Sequence, residues 1–155
     1  MASAGSRHYP RTPSHARAAS RRIALQALYR WQLNRCEWQE LVQEFAEEAQ
    51  SLKADAEYLQ VLVRDIVGTQ ATLDEALAPL LDRLPTLLDP IEHAALLIGS
   101  YELIHRPEIP YRVAVSEAVG LARRFGATDG HKLVNAVLDR AAQELRPQEY
   151  GQRLD

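Results

Sequence analysis

The stretch that most restricts the fold is IEHAALLIGSYELI, residues 91–104, which is apolar around most of its circumference when wound at 3.6 residues per turn. A helix of that kind has little to offer water, so it belongs at the centre of other elements. Gly99 and Ser100 are small enough to let a neighbouring helix come close. The preceding Asp89-Pro90 supplies an N-cap and a proline at the first helical position, and the helix runs to about His105. What surrounds it follows from the flanking sequence, where apolar residues recur at helical spacing and no segment alternates as a strand does.

A first helix opens near Ser14 or Arg17 and runs to about Asn34. From about residue 37 to residue 50, Trp38, Leu41, Val42, Phe45, Ala46 and Ala49 keep the i, i+3, i+4, i+7 pattern. Residues 54–83 form one long helix or two, with Gly68 and the capping-box pattern at Thr72-Leu-Asp-Glu75 marking a break. RPEIPYR is a turn, residues 113–125 form a helix stopped by Gly126, and Leu133 to Leu145 mark a last helix ending at Arg146-Pro147. Six or seven helices with short connections make an all-α bundle.

A chain of 155 residues is long enough for one domain with its own core. Residues 1–13, rich in Ser, Pro and Arg, are expected to be a flexible basic extension, 14–146 a single helical domain, and 147–155 a C-terminal tail. Cys36 is the only cysteine, so no internal disulfide forms, and the Cys and His spacings of a zinc site are missing. Without a signal-type leader or an apolar run long enough to span a bilayer, the chain reads as cytoplasmic, with no membrane partner.

The net charge of -3 hides an asymmetry: residues 1–36 hold seven arginines and no Asp or Glu, which leaves -10 for the rest. A cationic arm before an acidic body is a pattern of interaction tails, commonly for nucleic acid. Within the first helix, Ile23, Ala24, Ala27, Leu28 and Trp31 face the core, whereas Tyr29 points away beside Arg22, Gln26 and Leu33, with Arg30 at the edge. Arg17, Arg21 and Arg22 sit in the first turns, where the helix dipole is already positive, and an anion relieves that conflict. Phosphates and an unpaired base stacked on Tyr29 fit such a face. Packing of Tyr29 under a loop with solvated arginines is the competing reading. A second basic group, Arg123, Arg124 and Lys132, brackets the junction FGATDGH.

Enzymatic readings have little to stand on. His93, His105 and His131 are scattered, and there is no Gly-rich phosphate loop, GxSxG elbow or HExxH pair. No cofactor and no metal are expected.

The pieces ALYRWQ, SYEL, IPYRVAVSEAVGLARRFG and HKLVNAVLD, in this order and spacing, resemble the bacterial transcription antitermination factor family NusB, over most of residues 17–146. The resemblance implies an all-α fold of two packed helical subdomains. It also implies binding to the boxA segment of nascent ribosomal-operon RNA together with NusE, a ribosomal small-subunit protein, in an antitermination complex with NusA, NusG and RNA polymerase. No catalysis is implied.

Carried over to this chain, the family's arginine-rich start falls on Arg17, Arg21 and Arg22, with Gln26 on the same face, and its RNA-facing tyrosine on Tyr29. Its basic turn falls on Arg124, Phe125 and Gly126 with Lys132, and the acidic positions of NusE docking fall on Glu92 and Asp129. The chain departs from the family in three places. Its arginines are interrupted, Leu133 replaces a usual Phe, and Ala136 replaces a common Gly. A helical protein-interaction module with an incidental basic arm is the alternative from another class. A related competitor is the NusB-like RNA-binding domain attached to certain RNA methyltransferases, which the length of 155 residues is expected to disfavour.

Overall fold

The computed structural model describes residues 14–152. The expected N-terminal extension, residues 1–13, lies outside them. All regular structure among the described residues is helical. The chain forms two compact units that divide between Arg64 and Asp65.

The first unit contains α1 (Ser14–Leu33), α2 (Trp38–Glu44), α3 (Ala46–Ser51) and the beginning of α4 (Ala56–Leu77). The expected helix over residues 37–50 is therefore two, interrupted at Phe45 with φ -101 and ψ 12. Its apolar spacing survives because i to i-4 bonds continue across the interruption, from Phe45 N–H to the Leu41 carbonyl at 3.2 Å and from Ala49 N–H to that of Phe45 at 3.0 Å. The core of this unit holds Ile23, Leu28, Leu41, Tyr58 and Leu62. Ser20 ties α1 to the start of α4 by donating its hydroxyl to the Asp55 carbonyl at 2.7 Å.

The second unit begins within α4. That helix does not stop at the Thr72 pattern; it bends at Thr69, with φ -126 and ψ 19. The cause is local, since the Thr69 hydroxyl donates to the Asp65 carbonyl at 2.7 Å and competes with the backbone ladder. After short 3-10 turns at Ala78–Leu80 and Pro85–Leu87 come α5 (Pro90–His105), α6 (Tyr111–Phe125), α7 (Gly130–Leu145) and α8 (Pro147–Gln152). The eight helices among the described residues exceed the six or seven expected, owing to the interruption at Phe45 and to α8, which stands where the sequence suggested only a tail.

α5, α6 and α7 pack on one another, and α5 is buried from His93 through Leu103. Its N-terminus is capped as the sequence indicated, the Asp89 carboxylate accepting from the N–H groups of Ile91 at 2.8 Å and Glu92 at 3.3 Å. Gly99 is a point of close approach: a Cβ there would run into Leu138 of α7 and lie 3.2 Å from Ala118 of α6. At the other end, the Arg146 guanidinium donates to the carbonyls of Glu102, Leu103, Arg106 and Ile109 and to the Glu149 carboxylate, over 2.7 to 3.1 Å. It thereby pairs the Leu103 carbonyl, which the end of α5 leaves without a backbone donor because residue 107 is proline, and gives a second donor to the carbonyls of Glu102 and Arg106, which already accept from the N–H groups of Arg106 and Ile109. Among the described residues no helix is long and apolar enough to cross a membrane.

Candidate nucleic-acid interface

α1 carries its arginines on different sides. Arg17 and Arg21 both turn toward Tyr58 at the start of α4, their Cζ atoms 4.3 Å and 5.8 Å from the ring centroid. Arg21 is only 3% exposed, so its expected place in a solvent-facing cationic strip is corrected. The reason is angular. At 100° per residue Arg21 falls between Leu28 and Leu25, and the buried arc of α1 extends beyond the expected core face to Leu25.

The outer strip consists of Arg22, Gln26, Tyr29 and Leu33. Tyr29 is 37% exposed and Leu33 63%, while Arg22 and Gln26 are half-buried. The Gln26 amide donates back to the Arg22 carbonyl at 3.3 Å. Among the described residues no acceptor lies within hydrogen-bond reach of the buried Arg22 Nε. The neighbouring cations are engaged differently. Arg30 pairs with Glu44 at 3.1 Å and donates to the Asn34 carbonyl at 2.7 Å, and Arg35 lies 3.8 Å above the Trp31 ring. The structure thus brings Arg22, Gln26 and Tyr29 to one face and takes Arg17 and Arg21 to another.

In the second unit, the turn between α6 and α7 gathers the other predicted residues. Arg123 and Arg124 are exposed in the last turn of α6, where the helix dipole favours cations, and Arg124 lies 5.5 Å from the half-buried Phe125 ring. Gly126 ends the helix in an extended conformation, φ -96 and ψ -174, rather than the left-handed one that helix-ending glycines often adopt. Glycine is required there for space, because a Cβ would stand 2.7 Å from the Ala122 carbonyl oxygen. Asp129, the N-cap residue of α7, and Lys132 in its first turn form an exposed pair at 3.4 Å.

Glu92, from the first turn of α5, lies against Gly130 at the start of α7, where its carboxylate fills the space that a Cβ would occupy. Burial pushes the Glu92 carboxyl above the usual range, the nearby Asp89 adds to the rise, and Arg83 opposes it. Glu92 therefore has a packing role that the sequence did not disclose. Gly130 was its one local trace, a small residue opening a helix.

By fold, the chain falls in the class of all-α proteins built from small helical units. The pattern of the NusB family matches residues 18–143. The transcription antitermination protein NusB of Hydrogenovibrio crunogenus is 44% identical over 136 residues, covering 88% of this chain and 84% of that protein. That of Idiomarina loihiensis is 46% identical over 132 residues, covering 85% of this chain and 95% of that protein. Among solved structures, T. maritima NusB matches with a TM-score of 0.75 at 27% identity, over 90% of this chain and 98% of that one. The chain belongs to the NusB family.

Proposed function

We propose that this chain is a transcription antitermination factor that binds single-stranded boxA RNA of nascent ribosomal-operon transcripts together with NusE. With NusA, NusG and RNA polymerase it helps assemble the antitermination complex, and it performs no catalysis. The observation that carries the RNA reading is the α1 strip, where the partly exposed Tyr29 ring shares a face with Gln26 and with Arg22, whose Nε has no acceptor among the described residues. In this reading a base stacks on Tyr29, Arg22 takes a phosphate, and Gln26 offers an amide to a base or sugar edge. Arg17, half-buried, reaches a phosphate from the edge of its contact with Tyr58, and Arg21 holds Tyr58 in place. Arg124, Phe125, Gly126 and Lys132 form a separate RNA contact in the second unit, while Glu92 and Asp129 mark the end at which NusE docks.

The test is a titration of labelled boxA-like RNA with and without NusE across a salt series. Binding is expected to weaken with a log–log slope near -0.7 per phosphate, for about three to five phosphates. Tyr29→Ala should lose about 1 to 3 kcal/mol of binding. Arg22→Ala should make the slope shallower by about 0.7, and Arg21→Met should leave it unchanged. Salt-independent binding, or full affinity in Tyr29→Ala, would refute the reading. One observation favours the alternative of a pure protein-interaction module: Arg17, Arg21, Arg30 and Arg35 already have partners within the chain. That reading gains if NusE binds while RNA affinity is absent in its presence.

A further inference from the structure

The turn that leads into α5 exposes two leucines, Leu84 at 64% and Leu87 at 66%. Between them Pro85 opens the 3-10 turn Pro85–Leu87, and the Leu87 N–H donates to the Leu84 carbonyl at 2.9 Å. Proline suits that position because its ring already holds φ near -65°. Closing the turn brings the two leucine Cα atoms within about 7 Å of each other. Pro85 and Leu88 are buried, so the turn is pinned inward at those two points while Leu84 and Leu87 are sent outward. Single exposed leucines are ordinary on a protein surface. A pair set side by side on a proline-stiffened turn is a preshaped apolar knob, ordered before any partner arrives.

The rim of the knob is acidic. Asp82 and Asp89 are exposed, and Glu92 lies close enough to feel the charges of both Asp89 and Arg83. Three carboxylates thus stand against one guanidinium, and that guanidinium is paired with Asp82 at 3.1 Å. An anionic rim repels RNA. A second copy docked through the same knob would set one acidic rim against the other, since a two-fold interface pairs each patch with itself.

We propose that Leu84 and Leu87 are the apolar anchor of a protein-docking surface whose occupant presents an apolar socket ringed by Lys or Arg. The inference rests on the reading of the Glu92 end as the place where NusE docks, and it names the residues that carry the contact. Leucines supply the buried area and the rim supplies salt-sensitive steering.

The experiment measures purified NusE binding to the full chain, to Leu84→Ser/Leu87→Ser, to Leu84→Met/Leu87→Met and to Glu92→Gln, each at low and high salt. The serine variant is expected to bind on the order of ten- to a hundredfold more weakly, with unchanged helix content and unchanged affinity for RNA alone. The methionine variant, which keeps an apolar surface, is expected to bind like the parent, and parent binding is expected to weaken with salt. Full NusE affinity in the serine variant together with weakened binding in Glu92→Gln overturns the knob and leaves the docking face standing. No effect of either variant removes the docking face as well. A self-association of the parent that only the serine variant abolishes, with NusE binding intact, would assign the knob to a second copy and overturn the proposal.

Discussion

Replacing Arg146 by methionine keeps most of the side-chain volume and removes the guanidinium that gathers the carbonyls of Glu102, Leu103, Arg106 and Ile109. The side chain is 9% exposed, so those oxygens do not simply pass to bulk water. Hydrogen bonds to a charged donor contribute about 1.5 to 3 kcal/mol each, but they share one group and water can refill part of the gap, so their sum overstates the loss. Leaving a buried acceptor without its donor costs about 1 to 3 kcal/mol, and because the carbonyls of Glu102 and Arg106 keep backbone donors and Glu149 is partly exposed, about 3 kcal/mol is the expected size here. It is a large share of the roughly 5 to 15 kcal/mol that holds a domain together. Arg146→Lys should fall between, since an ammonium offers three donors where the guanidinium offers five. Urea denaturation followed by far-UV circular dichroism measures both variants, with the midpoint displaced and the slope preserved. A methionine variant within about 0.5 kcal/mol of the parent would place it among ordinary surface substitutions and refute the argument that this guanidinium holds the end of α5.

Glu149 and Glu92 should respond to acid in opposite directions. Burial pushes the Glu149 carboxyl up, but the Arg146 hydrogen bond, the Tyr111 N–H and the charges of Arg146 and Arg112 outweigh it and hold it below the ordinary range. Its contribution is present above the ordinary carboxylate pKa and lost as pH falls through the depressed one, so Glu149→Gln should flatten the acid limb of the stability curve; an unchanged acid limb counts against it. Glu92 is raised, so its contribution is present below the ordinary pKa and lost as pH rises through the folded value. Glu92→Gln should therefore raise the thermal midpoint at neutral pH, with the gain vanishing below about pH 4; a lower midpoint at neutral pH would contradict the burial argument. Gly99→Ala should destabilise by about 1 to 3 kcal/mol through its collision with Leu138, despite alanine's helix preference of about 1 kcal/mol, and a stabilised variant in the same urea assay would show that α7 yields freely.

The residues that could be placed from sequence share one property: their surroundings are set by neighbours three and four positions away. The burial of α5, the Asp89 cap and the outward position of Tyr29 follow from that spacing, and the structure has all three. Of the two signals for a break in α4, Gly68 adjoins the observed bend at Thr69, whereas the Thr72 capping pattern does not open a new helix. A capping pattern at Thr72 is a local motif, yet Thr69 bends the helix through its own hydroxyl.

The candidate site was less legible. Arg21 carries the same charge as Arg22 and sits beside it, yet one is buried and the other is not fully so. A difference of 100° around a helix separates them, and Arg21 falls on the arc of α1 that is covered, with the Tyr58 ring beside it. Leu84 and Leu87 lie in a run that reads as ordinary loop between helices, with nothing local to say that Pro85 and Leu88 take the inward positions.

From the order of residues alone came the helical class, the central helix and the cationic opening, because apolar periodicity and charge are properties of a chain before it folds. The partner of each charge was decided by the tertiary structure: Tyr58 for Arg21, four carbonyls for Arg146, the start of α7 for Glu92. Those contacts join residues far apart in the chain, and electrostatic strength depends on distance and burial that no local pattern encodes.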